Sequence, residues 1–157
     1  MRTSFVCLLL IVSGVAAASN YREIARAVDD DSLLQSAGVT PAEARLRKQC
    51  SAAVLDTDDR PEFFNCVYVQ TDKSLNLFSL EDGFLMSELQ LSLANIDGVA
   101  LQRTGRWSQL QIWSGNRVTA MYIQGNGWID TQQNSAVYVW LVEHGVPEHA
   151  PIAWIGP

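Results

Sequence analysis

The chain has 157 residues, 48% of them hydrophobic and 18% charged, with 11 Lys and Arg against 17 Asp and Glu for a formal net charge of −6. That length suits one domain with a real core. The acidic balance argues against nucleic acid and anionic membrane surfaces as partners, and it favours a cationic protein over a neutral one.

Residues 1–18 read as a secretory signal peptide, with Arg2 as the early cation, an apolar run from Phe5 to Val12, and small residues Ala16, Ala17 and Ala18 before the expected cut. The apolar run is too short to cross a bilayer and no later run replaces it, so no membrane insertion is expected once it is removed. Cys7 lies inside the run rather than after the alanines, which argues against a lipid anchor. The product is expected to be exported, periplasmic or extracellular. Residues 19–157 are expected to form a single globular domain, helical over 19–59 and antiparallel β over 62–157. Loss of Cys7 leaves Cys50 and Cys66, which an oxidising compartment would join. With no Cys-x-x-Cys and no nearby His, the pair does not read as a redox or metal site.

Tyr21 to Val28 reads as a short helix. Asp29, Asp30 and Asp31 can cap a second one over Ser32 to Ala37, and Gly38 in a left-handed conformation would end it. The carboxylate spacing of a calcium loop is absent from this triplet. Thr40-Pro41-Ala42-Glu43 has the form of a capping box with Pro in first position. Ala42, Leu46, Cys50, Ala53 and Val54 then recur at spacings of three to four, so a helix carrying Cys50 on its apolar stripe is expected there. The disulfide would pin that helix to the sheet.

After Pro61 the period becomes two. Phe63 to Thr71, Leu75 to Leu80 and Phe84 to Leu93 read as strands, with turns at 72–74 and 81–83. Leu85, Leu89, Leu91 and Leu93 are expected on one face. Arg106 to Gln124 reads as a β-hairpin turning at Gly115-Asn116, where Gly in first place supplies the positive φ of a type II′ turn. The turn sets a register running from Ser114 opposite Arg117 to Trp107 opposite Gln124. Leu110, Ile112, Met121 and Ile123 then share a core face with Ser108 and Thr119. The other face collects Trp107, Gln109, Gln111, Trp113 and Tyr122 with Val118, Ala120 and Gln124. It is either a second buried layer or an open recognition surface, in which rings give contact area and amides give directed hydrogen bonds. Ser135 to Val142 is apolar on both sides and reads as a central strand. Pro147 to Pro157, with three prolines and Trp154, reads as an extended segment lying against the domain or as an edge strand.

The expected fold class is α+β, mainly β, with N-terminal helices packed by a disulfide on an antiparallel meander sheet or small barrel. No glycine loop, dinucleotide fingerprint or nucleophile–base pair stands out, and His144 and His149 sit in a Gly- and Pro-containing loop without metal-ligand spacing. No cofactor and no metal are expected. The chain is expected to be a non-catalytic binding protein, inhibitor-like or immunity-like, whose partner is a protein such as a basic envelope enzyme. The first alternative is a glycan-binding module using Trp107, Gln109, Gln111, Trp113 and Tyr122. The second is a small hydrolase using carboxylates such as Glu88 or Asp130.

Overall fold

Alternating side chains, rather than helical stripes, govern most of this chain. The computed structural model describes residues 21–56 and 61–155; the expected signal peptide at 1–18 lies outside the described residues. Eight strands make one antiparallel sheet: β1 (Leu46–Leu55), β2 (Glu62–Gln70), β3 (Ser74–Glu81), β4 (Phe84–Ser92), β5 (Gly98–Thr104), β6 (Trp107–Ser114), β7 (Arg117–Gly125) and β8 (Trp128–Ile129). The helices are α1 (21–27), α2 (Asp31–Ser36) and α3 (Thr131–Glu143). Strand order is β4-β3-β2-β1-β7-β6-β5, with β8 paired to β7, so two meanders meet where β1 lies beside β7. The protein is mainly antiparallel β with a few helices, as expected.

Each face of the sheet carries its own apolar layer. On one, Cys50, Cys66, Tyr68, Leu77, Leu110, Ile112, Met121 and Ile123 pack with Val137 and Leu141 of α3. On the other, Val67, Val69, Phe78 and Leu85 pack with Ile24, Ala27 and Leu34 of α1 and α2. Each buried Leu, Ile or Phe side chain stabilises the fold by about 1.5–3 kcal/mol, so the two layers together hold the sheet. The α2 cap follows the sequence: Asp30 Oδ1 accepts from the Ser32 and Leu33 N–H groups, and Gly38 at φ +81° closes the helix. There Gly38 N–H donates to Gln35 and Val39 N–H to Leu34.

The expected helix beyond Thr40 is a strand. Pro41–Glu43 makes one 3-10 turn in which the Thr40 hydroxyl makes no capping bond, and Leu46–Leu55 is β1. The N-terminal helical region therefore stops at Glu43, not at 59. Between β2 and β7, β1 has ladder partners on both sides, a cooperative gain that outweighs a weak helical spacing. The disulfide consequently joins two strands and no helix: Cys50 and Cys66 are direct partners across β1 and β2, with Cα atoms 4.9 Å apart.

The expected central strand at 135–142 is a helix. Asp130 accepts from the Gln133 N–H at one end of α3, and Gly145 at φ +86° stops the other, where Val146 N–H donates to Leu141. Asn134, Val137 and Leu141 face the sheet. Finally, the β3–β4 register skips Glu88, since Leu77 opposes Leu89 while Phe78 opposes Ser87. This bulge sends Leu89 and Leu91 to the α3 side and Leu85 to the α1–α2 side, so the four leucines expected on one face are divided.

Candidate binding face

The hairpin forms where the sequence placed it. Gly115 has φ +57° and Asn116 does not share the positive sign, as a type II′ turn requires. Ser114 opposes Arg117 and Leu110 opposes Met121. Leu110, Ile112, Met121, Ile123, Ser108 and Thr119 are all buried on one face, as expected.

Beyond Leu110 the expected register is not kept. The paired stretch of β6 and β7 ends there, and Asn134 from α3 enters the gap: its Oδ1 accepts from Ile123 N–H at 2.9 Å and its Nδ2 donates to the Ser108 carbonyl at 3.0 Å. One amide is thus inserted into the single ladder bond that Ile123 N–H would have made to the Ser108 carbonyl, while the Ile123 carbonyl accepts from Asp130 N–H at 2.8 Å. Further along the same edge of β7, β8 pairs with Gln124 and Gly125, where Trp107 of β6 was expected opposite Gln124.

The opposite face carries the five candidate residues, and its two glutamines are buried: Gln109 is 1% and Gln111 0% exposed. A buried amide needs partners, and here they belong to main chain. Ile152 N–H donates to Gln111 Oε1 at 2.9 Å while Gln111 Nε2 donates to the carbonyls of Ile152 and Ala153 at 3.2 and 3.3 Å. Gln109 repeats the pattern on Ile155, accepting from its N–H at 3.1 Å and donating to its carbonyl. Gln111 Nε2 also donates to Gln109 Oε1 at 3.2 Å, which ties the two together. Each side-chain amide therefore treats a residue of 147–155 as a neighbouring strand would.

Ring contacts and small residues complete this strap. Tyr122 stacks on Trp154 with centroids 6.3 Å apart, and Trp113 lies 4.9 Å from the His149 ring. Gly98 leaves room for that ring, because a Cβ there would fall 2.3 Å from it. Ala100 and Ala120, paired with Gln111 from either side, keep the floor shallow. Along the β5 edge, Val99 N–H donates to the Pro147 carbonyl at 2.9 Å and His149 N–H to the Val99 carbonyl at 2.8 Å. Tyr138 of α3 donates to Glu148, and that bond, followed by burial, holds its phenol above the ordinary value of 10.0.

Trp107 stands apart from the other four. It stacks parallel to Trp128, 6.2 Å between centroids, with the Arg106 guanidinium 4.5 Å from its ring centre and Trp128 67% exposed. The structure thus brings Gln109, Gln111, Trp113 and Tyr122 onto one strap-covered groove and leaves Trp107 on a separate open platform. Among the described residues no three His, Cys, Asp or Glu side chains gather as metal ligands would.

No protein-family profile and no curated protein matches the sequence. A solved structure of Vav1 inhibited by an allosteric inhibitor overlaps 64% of this chain and 26% of its own at 6% identity, with a TM-score of 0.45. The chain thus spans about a quarter of that one, a likeness too distant to carry function.

Ala120 was expected on this face and Trp154 in a tail lying against the domain, whereas the parts that Gly98, Ala100 and His149 play in the groove escaped the sequence reading. The available signal was the pair of glutamines at the middle of an otherwise apolar strand. Amides there must find partners from outside the ladder, and the proline-bearing end of the chain was the uncommitted source.

Proposed function

We propose that this chain is a non-catalytic, exported protein-binding domain whose recognition surface is the face formed by β5, β6 and β7. One observation carries the reading: two buried glutamines each hold both the N–H and the carbonyl of one residue of an extended polypeptide. Such contacts read main chain, and the flanking Trp113 and Tyr122 add ring faces of the kind that grip peptides. The negative net charge fits a cationic partner, whose arrival would be steered electrostatically and weakened by salt. A displayed library of extended peptides tests this. Sequences should be enriched on the wild-type protein and lost with Gln109→Leu and Gln111→Leu together, the circular dichroism spectrum being unchanged. Enrichment indifferent to both substitutions would overturn the reading.

A second reading has its own observation. Trp107, Trp128 and Arg106 form an open aromatic and cationic platform against which a sugar ring could stack. The glycan alternative rests on these residues, because Trp107 stands apart from Gln109, Gln111, Trp113 and Tyr122. Trp128→Ala should abolish sugar binding in a glycan array if this platform is the site, and an empty array would remove it.

A further inference from the structure

Among the described residues the strap holds the longest run of exposed positions. Val146 before it is 5% exposed, yet 147–153 lie open to solvent, Ile152 at 39% exposure, and only Trp154 and Ile155 are half-buried. Its N–H groups that reach the sheet are those of His149, Ile152 and Ile155, one in every three residues. Pro147 and Pro151 fall where no N–H is required. A sheet contact at every third N–H, with prolines at unbonded positions, suits a proline-bearing segment that joins β5 by one parallel bridge at Glu148 and otherwise makes no ladder. Aromatic-lined grooves that bind such chains exploit their low conformational entropy.

These contacts depend little on which chain supplies them. The glutamine and β5-edge bonds go to main chain, and the ring contacts ask only for a flat side chain near Tyr122 and another near Trp113. We infer that residues 147–155 are a displaceable occupant of this groove, and that the ligand is a proline-bearing, extended segment of a partner protein. Its pattern repeats Ile152-Ala153-Trp154-Ile155: a branched apolar residue, a small one, an aromatic one and a second branched one. The Trp154 position, half-buried against Tyr122, takes an uncharged ring, because a charge there would lose part of its hydration. The inference rests on the binding role proposed above and adds its regulation: the site is closed in cis and opens when a competing segment arrives. Apparent affinity for that segment is lowered by the fraction of time the strap is seated.

The test uses a dye-labelled synthetic peptide with the sequence of residues 147–155, titrated into the full chain and followed by fluorescence anisotropy. Trp154→Ala removes the ring on Tyr122, and Ile152→Pro removes the N–H that Gln111 accepts. Both should tighten binding of the peptide at least about tenfold over wild type, the strap being a tethered competitor. At saturating peptide, amide exchange at Ile152 and Ile155 of the wild-type chain should rise. Binding of equal strength to all three proteins, abolished by Gln111→Leu, would overturn the displaceable strap while sparing the binding role. No binding to any of them, with circular dichroism showing them folded, would overturn both.

Discussion

Asn134 does the work of a missing strand segment. It satisfies one donor and one acceptor of buried backbone between β6 and β7, so Asn134→Ala leaves both without partners. Each unpaired buried group costs about 1–3 kcal/mol, and the variant should lose roughly 2–5 kcal/mol in urea unfolding. Asn134→Asp should do no better, since a carboxylate can accept from Ile123 but can only repel the Ser108 carbonyl; parity with wild type would refute the role. Gly98 makes a softer demand. In Gly98→Ala the new methyl meets the exposed His149 ring, which can swing aside, so amide exchange at 147–149 should rise while global stability falls by less than about 1–3 kcal/mol, the range for overpacking in a core. Residues whose role follows from alternation and turn geometry were legible in the sequence: Gly115, Leu110, Ile112, Met121 and Ile123 stand where they were expected. Asn134 was not, because a single amide in an apolar run carries no pattern, and its partners lie 26 and 11 residues away.

Among elements, β1 and α3 show how local spacing misleads. Leu46, Cys50 and Val54 suit a helix by interval, yet the same stretch alternates Gln49, Ser51 and Ala53 against Cys50 and Ala52, and having neighbours on both sides decides between the periods. Ser135 to Val142 is rich in β-formers, but Asp130 and Gly145 cap the segment and the sheet offers it an apolar face to lie on. The reading failed where a cap outweighed propensity in one case and a ladder outweighed a cap in the other. Because the disulfide crosslinks two adjacent strands 16 residues apart in sequence, Cys50→Ala with Cys66→Ala should lower stability by about 3 kcal/mol in the chain-entropy account, read as a shifted denaturation midpoint. A midpoint unmoved by the double substitution or by reductant would show that the ladder alone fixes β1 on β2.

For the molecule as a whole, the strap links α3, the β5 edge and the glutamine face, and its anchor to α3 responds to alkali. Tyr138 has a raised phenol value because ionisation would remove the proton it donates to Glu148. The stabilisation is therefore complete below the ordinary value of 10.0 and is lost as pH climbs through the folded one. Tryptophan emission should change over that alkaline range as Trp154 is released, and should be flat in Tyr138→Phe; the same transition in both would dissociate it from this phenol. Acid acts elsewhere. Arg45 holds Asp72 below the ordinary 3.8, and the Ser32 hydroxyl, then the Leu33 N–H, does so for Asp30. Both contributions are present above that value and lost as pH falls through the lowered ones, so acid should loosen the α2 cap and the turn at Asp72. One consequence of the Val99 pairing concerns neighbouring molecules. With 147–149 lifted, β5 would present bare amides and carbonyls to any other copy, so the receptive form of this domain is also the one that can template stacking of further chains, and light scattering should climb with concentration in Ile152→Pro long before the fold itself melts.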